Sequence, residues 1–254
     1  MTGPVIIVTG ASRGIGRSIV SEILDNEPTS KVVGVSRSEE PLKKIASEYP
    51  GRFAFVAGDL LNDDTIKEVI KKAIDTFGQL NSVVLNAGVL EPIANIADAN
   101  IDAWRKLYDI NVLSPLSLAS KAIPYLRSTS GRIVFVSSNA SVINYHAWGA
   151  YGSSKATINH IAASIAAEEP SIFSISIAPG IVDTDMQVQI REDFKENMSE
   201  ENHAAFIELK ETGQLLPAHV PAGVLAKLAL YGKGDDINGK YFDYDAKELA
   251  AYNK

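Results

Sequence analysis

Two kinds of segment alternate along the chain. Short apolar runs bounded by turn residues are typical of parallel strands that are buried on both faces. Longer segments between them repeat apolar residues at helical spacing. The predicted strands are 5–8, 31–35, 52–56, 82–85, 132–136, 171–177 and 239–243, and the predicted helices are 15–26, 39–49, 63–77, 100–128, 150–168 and 218–231.

This alternation predicts an α/β fold, with a doubly wound, Rossmann-type, mostly parallel sheet of about seven strands and helices on both faces. No internal repeat or linker divides the sequence, so one domain over 1–254 is the simplest interpretation. The segment 184–214 is polar, charged and helix-prone, and it follows a strand, at the sheet edge where open α/β folds bind ligands. We interpret it as a helical lid over a substrate, with a solvated surface excursion as the alternative.

Composition and charge exclude several classes of function. The chain has no Cys, which removes disulfides, thiolate nucleophiles and Cys-ligated zinc, and its four His lack metal-binding spacing. A net charge of -7 gives no global basic surface for nucleic acid or anionic lipid. No apolar run reaches the roughly 18 residues of a membrane span, and the opening MTGPVIIVTG is unlike a signal peptide. We therefore expect a cytoplasmic protein without a metal, nucleic-acid or membrane site.

The first strand leads directly into a glycine-rich turn, TGASRGIG, at residues 9–16. Glycines there let the chain turn tightly and let backbone N–H groups approach a phosphate at the N-terminus of the next helix. The spacing differs from G-x-G-x-x-G, and no Gly-Lys-Ser/Thr follows, so this is not a nucleoside-triphosphate loop. Its position predicts a dinucleotide site, and the alternative is a turn or packing role.

The residues after the second strand bear on which dinucleotide is bound. NAD-binding units usually place an acidic residue there to hold the ribose 2′-hydroxyl, and this chain has none. Ser36 and Arg37, with Arg13 on the glycine loop, suit a 2′-phosphate, because a guanidinium combines positive charge with a fork of donors. The sequence therefore predicts NADP(H), with ordinary surface charge as the alternative for both arginines.

A phenol and an ammonium lie four residues apart at Tyr151 and Lys155, and on a helix they share a face. The ammonium, with an oxidised nicotinamide, is expected to lower the Tyr151 pKa from about 10 toward the range useful for proton transfer. Ser138 lies just after a predicted strand, and its hydroxyl could reach the same substrate oxygen as the Tyr151 hydroxyl. Pro115 has no N–H for the Asn111 carbonyl, so a kink there is expected to free that carbonyl for a water.

Taken together, these motifs resemble the short-chain dehydrogenases/reductases along nearly the whole chain. The matching pieces are residues 9–16, Asp59-Leu60, Asn86-Ala87-Gly88, Asn111, Ser138, Tyr151–Lys155 and Pro179-Gly180. The resemblance implies four catalytic residues. Ser138 would hold the substrate oxygen, and Tyr151 would exchange a proton with it. Lys155 would bind the nicotinamide ribose, and the Asn111 carbonyl would complete a water-linked proton relay.

The resemblance also implies the cofactor contacts. The pyrophosphate would lie on the three glycines of the loop, the adenine on Asp59, the adenosine ribose beside Asn86 and Gly88, and the carboxamide on Ile181. The implied cofactor-binding set is Gly10, Ser12, Arg13, Gly14, Ile15, Gly16, Ser36, Arg37, Asp59, Leu60, Asn86, Ala87, Gly88, Tyr151, Lys155, Pro179, Gly180, Ile181 and Thr184. Family members are usually dimers or tetramers, so a homo-oligomer packed through helices 100–128 and 150–168 is expected.

Within the family, the second half of the chain is most similar to the sepiapterin reductase and benzil reductase group. The wall from Asn139 to Trp148 is aromatic and aliphatic, which suits a flat apolar carbonyl compound. The predicted substrate residues are Asn139, Tyr145, Trp148, Met186 and Asp243. Asp243 matches the position that anchors the pterin in sepiapterin reductases, and the alternative is a strand-end carboxylate that holds backbone. His146 is interpreted as a pocket or surface residue.

The predicted function is therefore NADPH-dependent reduction of a ketone or diketone of the benzil type, with Tyr151 as the proton donor. A pterin side-chain ketone is the close alternative. From another class, a non-catalytic NADP(H)-binding regulator is the rival, and intact Ser138, Tyr151 and Lys155 disfavour it. An NAD-linked alcohol dehydrogenase is disfavoured by the missing acidic residue after the second strand.

Overall fold

The computed structural model of the protein describes residues 3–253; Met1, Thr2 and Lys254 lie outside the described residues. Its strands form a seven-stranded sheet in the order β3-β2-β1-β4-β5-β6-β7, and every neighbouring pair is parallel. The strands are β1 (Val5–Thr9), β2 (Lys31–Ser36), β3 (Phe53–Ala57), β4 (Ser82–Leu85), β5 (Arg132–Val136), β6 (Phe173–Ala178) and β7 (Tyr241–Asp243). The predicted doubly wound α/β fold is confirmed, and the sheet is wholly rather than mostly parallel.

Helices cover both faces of this sheet. They are α1 (Gly14–Asn26), α2 (Glu39–Glu48), α3 (Asp63–Phe77), α4 (Ile101–Tyr108), α5 (Ser114–Arg127), α6 (Gly149–Glu168), α7 (Asp185–Glu192), α8 (Glu200–Glu211) and α9 (His219–Tyr231). One core cluster packs α1, α2 and α9 on one face, and a second packs α3, α5 and α6 on the other. Along β1, Ile6 and Val8 enter the first cluster while Val5 and Ile7 enter the second, as the period of two in a strand requires. The continuous apolar runs follow from this burial on both faces.

The predicted helix over 100–128 is interrupted. α4 ends at Tyr108, a π-helical turn spans Asp109–Leu113, and α5 then begins. The N–H of Ser114 donates to the carbonyl of Asp109, and its hydroxyl donates to the Ile110 carbonyl at 2.9 Å. Pro115 lies in the first turn of α5. The break expected at this proline therefore takes the form of a π-helical turn, a feature common at functional sites.

The strand order reverses between β1 and β4, so the carboxyl ends of these strands flank the crevice where doubly wound sheets bind ligands. The segments that leave β1 to β6 at this edge carry most of the predicted site residues. The predicted lid segment 184–214 contains α7 and α8. Its apolar side chains Ile190, Met198 and Phe206 are buried in a third cluster, together with Tyr151 and Trp148. This part of the chain therefore packs against the site rather than extending into solvent.

Candidate active site

The three glycine positions of the loop after β1 disfavour side chains, through backbone geometry or lack of space. Gly10 and Gly14 have φ values of +65° and +54°, in the left-handed region that favours glycine. A Cβ on Gly16 would lie 2.2 Å from the Gly10 carbonyl oxygen. α1 begins at Gly14, and its N-cap residue Arg13 makes no side-chain capping bond within residues 3–253. The first turn of α1 therefore presents unpaired N–H donors and the positive end of the helix dipole, which suits a phosphate.

Thr9 joins this loop to the segment that follows β4. Its Oγ1 accepts the N–H groups of Asn86 and Ala87, each at 2.9 Å, and the Asn86 side-chain amide donates to the Thr9 carbonyl, also at 2.9 Å. Gly88 continues the same segment, and a Cβ there would lie 3.5 Å from the Lys155 Nζ. Hydrogen bonds therefore hold the two loops together beside Lys155. The sequence analysis named the asparagine but gave no role to Thr9.

The predicted 2′-phosphate residues lie at the opposite end of the loop. Ser36 donates to the Ser12 hydroxyl oxygen at 2.8 Å, which ties the end of β2 to the glycine loop, and exposed Arg37 follows. Arg13 forms an ion pair with Asp185 of α7 at 2.6 Å, and both side chains are mostly exposed. Arg37 is therefore the exposed cation that follows β2 next to the glycine loop, whereas Arg13 contacts the lid segment.

The remaining predicted cofactor residues lie at the ends of β3 and β6. Asp59 is exposed, and its carboxylate accepts the N–H of Leu61 at 3.0 Å. After β6, Gly180 has a φ of +77°. The methyl group of Thr184 lies 3.3 Å from the point where a Gly14 Cβ would be, so the start of the lid segment faces the glycine loop. Pro179, Leu60, Ile181 and Ile15 are buried or partly buried around these loops.

Tyr151, Lys155 and Ser138 converge at the carboxyl end of β5. Tyr151 and Lys155 are on α6 and are 6% and 5% exposed, and Ser138 follows β5. The Lys155 Nζ lies 5.6 Å from the centroid of the Tyr151 ring and donates to the Val136 carbonyl at 2.8 Å. Ser138 hydrogen bonds with Tyr151, and its Oγ accepts the Ala140 N–H at 3.2 Å. A proton-bearing phenol, a second hydroxyl and a cation therefore share one buried site.

Burial dominates the acid–base properties of this group. It raises the pKa of Tyr151 to about 12, and the hydrogen bond with Ser138 opposes the rise. Burial also lowers the pKa of Lys155 to about 8. The Tyr151 pKa is therefore raised in the protein alone, because the loss of hydration dominates. The expected lowering by Lys155 together with an oxidised nicotinamide stays a prediction for the complex with the cofactor. At neutral pH Tyr151 holds its proton, which is the form that a proton donor requires.

Asn111 ties three elements together through its side chain, which is 1% exposed. Its Oδ1 accepts the Val89 N–H at 2.8 Å, and its Nδ2 donates to the Val89 carbonyl at 2.8 Å and to the Ser154 Oγ at 3.2 Å. Ser154 donates in turn to the Tyr151 carbonyl at 2.7 Å. Asn111 therefore connects the π-helical turn to the loop after β4 and to α6. Its own carbonyl is the one to which Pro115 cannot donate.

A second series of hydrogen bonds, from Ser137 through Asn159 to Ser141, lies behind the site and was not predicted from the sequence. Ser137 donates to the Asn159 Oδ1 at 2.6 Å, and the Asn159 Nδ2 donates to the Ser141 Oγ at 2.9 Å. This series fixes both ends of the segment that carries Ser138 onto α6. The sequence held a signal for it, since Asn159 lies four residues after Lys155 on the same helical face.

The predicted aromatic wall is present and includes a residue that the sequence analysis missed. Trp148 lies 5.1 Å from Tyr145 and 5.8 Å from Tyr151 between ring centroids. Phe206 of α8 stacks on Trp148 at 5.7 Å, with an interplanar angle of 4°. Met186 of α7 packs against the same cluster. The signal for Phe206 was an aromatic residue, one of two with Phe194, within the polar lid segment.

The outermost predicted substrate residues lie at the rim. Asp243 is exposed at the end of β7, where its carboxylate accepts the Tyr241 hydroxyl at 3.2 Å. Burial raises the pKa of Tyr145, and the negative charge of Asp243 adds to the rise. Asp243 thus lies beside the aromatic wall, and its carboxylate holds a phenol rather than backbone. Asn139 begins the short helical turn directly after Ser138. His146 is exposed.

Within residues 3–253, no group of three or more His, Cys, Asp or Glu is placed to hold a metal ion. In the same range, no helix is both long and apolar enough to cross a bilayer.

Known proteins resemble this chain over most of its length. The family described as short chain dehydrogenase matches residues 4–195. A benzil reductase ((S)-benzoin forming) of Saccharomyces cerevisiae is 40% identical over 257 residues, covering 97% of this chain and 98% of the relative. A solved short chain dehydrogenase/reductase from the same yeast is 49% identical, with a TM-score of 0.97 over 99% of this chain and 100% of that one. A solved cytoplasmic protein with unknown function, also from this yeast, is 47% identical, with a TM-score of 0.86 over 99% of this chain and 100% of that one. The chain is thus an oxidoreductase that belongs to the short-chain dehydrogenase family.

Proposed function

We propose that this protein reduces a ketone or diketone of the benzil type with NADPH, and that Tyr151 donates the proton. The observation that carries the proposal is the group that buried Tyr151 and Lys155 form with partly exposed Ser138 at the carboxyl end of the sheet, next to the glycine loop. A protein that only bound a nucleotide would have no use for a protonated phenol and a hydroxyl at one point.

Each residue has a distinct part in the proposed reaction. Ser138 holds the carbonyl oxygen, and Tyr151 gives that oxygen a proton as negative charge develops on it. Lys155 remains a buried cation below its pKa of about 8 and binds the ribose of the cofactor. When bound, the nicotinamide nucleotide supplies the hydride. The Asn111 carbonyl, which Pro115 leaves without its helical donor, holds the water through which Tyr151 regains its proton.

The residues at the crevice fit a dinucleotide. The glycine loop keeps side chains away from the N-terminus of α1, where the pyrophosphate would bind. Ser36 and Arg37 at the end of β2 would hold a 2′-phosphate, and Arg13 would join them on leaving Asp185. Exposed Asp59 would contact the adenine, and Asn86 with Gly88 would contact the adenosine ribose. The absence of an acidic residue at this end of β2 supports NADP(H) over NAD(H).

The proposed substrate is an aromatic carbonyl compound. Tyr145, Trp148 and Phe206 form an apolar aromatic wall within contact of Tyr151, and aromatic rings bind flat rings by stacking. The benzil reductase at 40% identity supports this class. Asn139, Met186 and Asp243 complete the proposed substrate contacts at the rim.

The test is NADPH consumption followed at 340 nm, with benzil and sepiapterin as separate substrates. The proposal predicts turnover of benzil that exceeds turnover of sepiapterin and exceeds the rate with NADH in place of NADPH. Preferential turnover of sepiapterin would contradict the proposed benzil-type substrate and favour a pterin ketone. Faster turnover with NADH would contradict the proposed preference for NADPH. NADPH binding without turnover of any dicarbonyl would favour the non-catalytic regulator.

The proposal extends to the setting of the protein. A single domain would carry both the cofactor site and the lid, and the protein would be cytoplasmic, as its 47% identical relative is described. A homo-oligomer would cover the exposed apolar residues Leu113, Leu116 and Tyr125 of the α4–α5 region. Size-exclusion chromatography with light scattering gives the oligomeric state, and a monomer at micromolar concentration would contradict this part.

A further inference from the structure

One buried donor in the aromatic wall has no acceptor. Trp148 is 7% exposed, and its indole Nε1 finds no hydrogen-bond partner among the described residues 3–253. A buried N–H without an acceptor is unfavourable, and such groups in folded proteins call for an explanation. Within residues 3–253, the N–H itself therefore makes no hydrogen bond that stabilises the fold.

The surroundings of the indole supply aromatic rings rather than acceptors. Phe206 covers one face in a parallel stack, and Tyr145 lies 5.1 Å away. Tyr151 meets the indole edge-on, with an interplanar angle of 86°. The N–H thus belongs to a ring that is surrounded by aromatic side chains and that contacts the ring of the proposed proton donor. A molecule that binds beside Tyr151 could supply the acceptor that this N–H lacks.

We infer that the Trp148 Nε1–H donates to the second carbonyl oxygen of a 1,2-dicarbonyl substrate, while Tyr151 and Ser138 hold the first. The two oxygens of such a compound are on adjacent carbons, so their donors must come from neighbouring side chains, and the rings of Trp148 and Tyr151 lie 5.8 Å apart between centroids. This inference rests on the proposed function and makes Trp148 a specificity-determining residue that favours dicarbonyls over simple ketones.

The lid segment explains how a substrate reaches this donor. Phe206 belongs to α8, and its phenyl ring occupies the face of the indole on which a substrate aryl ring would stack. The substrate ring takes the place of Phe206 when α8 moves aside, and the adjacent carbonyl then meets the indole edge. The aromatic rings of the wall thereby exchange one stacking partner for another.

The experiment compares Trp148→Phe with the wild type on benzil and on deoxybenzoin, which has a methylene group in place of one carbonyl. The intrinsic reactivities of the two ketones cancel when each kcat/KM is divided by its wild-type value. We expect the variant to lose about tenfold more kcat/KM on benzil than on deoxybenzoin, the size of one lost hydrogen bond. The control is Trp104→Phe, which removes the N–H of the tryptophan on α4 that packs against the same cluster, and it should change both ratios equally.

The outcomes separate this inference from the proposed function. Equal losses on the two ketones, or none, would make Trp148 a packing residue and overturn the inference while ketone reduction stands. Wild-type turnover of deoxybenzoin but not benzil would also overturn the inference alone, whereas turnover of neither ketone would overturn both the inference and the proposed function.

If Trp148→Phe fails to fold, 3-benzothienylalanine incorporated at Trp148 in the Trp104→Phe protein removes the N–H while keeping the ring shape. Benzil quenching of Trp148 fluorescence in Trp104→Phe gives a binding readout, and its absence would also overturn the inference.

Discussion

Lys155 is a buried cation whose charge should destabilise the fold, and its removal gives a quantitative prediction. Burial lowers the Lys155 pKa from 10.5 to about 8, and each unit corresponds to about 1.4 kcal/mol. The charge therefore costs about 3 kcal/mol at pH 7, where both the folded and unfolded chains are protonated. The loss of the hydrogen bond to the Val136 carbonyl offsets about 1 kcal/mol of that. Lys155→Met should consequently raise the free energy of unfolding by about 2 kcal/mol at pH 7.

The pH dependence of that difference carries the stronger test. Between pH 8 and 10.5 the unfolded chain binds more protons at Lys155 than the folded chain, so wild-type stability rises with pH relative to the variant. By pH 9.5 the cost of the charge should fall to roughly half its value at pH 7. Urea unfolding of both proteins at pH 7 and 9.5 measures this, with Lys247→Met as the control at an exposed lysine.

The same titration of Lys155 predicts how kcat/KM changes with pH. If kcat/KM requires charged Lys155, it should be constant below pH 8 and fall about tenfold per pH unit above it, while Tyr151 stays protonated.

Two results of the urea unfolding experiment would refute the assignment of a costly buried charge. One is a Lys155→Met variant that is less stable than wild type at pH 7, and the other is a stability difference that does not change up to pH 9.5.

Two further substitutions test the cofactor site. Gly16→Ala would place a Cβ 2.2 Å from the Gly10 carbonyl oxygen, so the loop must shift, and we expect at least a tenfold weaker affinity for NADPH by calorimetry; wild-type affinity would mean that the loop does not bind the cofactor. Arg37→Ala should lower kcat/KM with NADPH by about tenfold and leave that with NADH nearly unchanged, since only the former carries a 2′-phosphate. An equal loss with both cofactors would argue against Arg37 as the phosphate ligand.

The fold followed from the sequence because local and global signals agree there. The apolar run of β1 is buried on both faces, and the glycines after it have positive φ values or no room for a Cβ. Pro115 marked the break before α5, but the π-helical form depends on how Ser114 and its neighbours pair, which spacing alone does not specify. Strand and helix ends differ from prediction by at most two residues, apart from the helix that this break divides.

The site was predicted less completely, because its properties depend on contacts between distant segments. The i, i+4 spacing predicted that Tyr151 and Lys155 lie together, yet it could not show that burial raises the Tyr151 pKa in the protein alone, since burial is a tertiary effect. The contact of Phe206 with Trp148 joins α8 to the start of α6 across a long sequence separation. Likewise, the pairing of Arg13 with Asp185 could not be read from a pattern of charges alone.

The central claim is that Tyr151 donates the proton in an NADPH-dependent carbonyl reduction. Its most direct test is the rate of benzil reduction by Tyr151→Phe, measured together with NADPH affinity. The account predicts that kcat falls by at least about a hundredfold, the usual range for loss of a general acid, while NADPH affinity stays within about threefold of wild type. A variant with wild-type kcat would contradict the account.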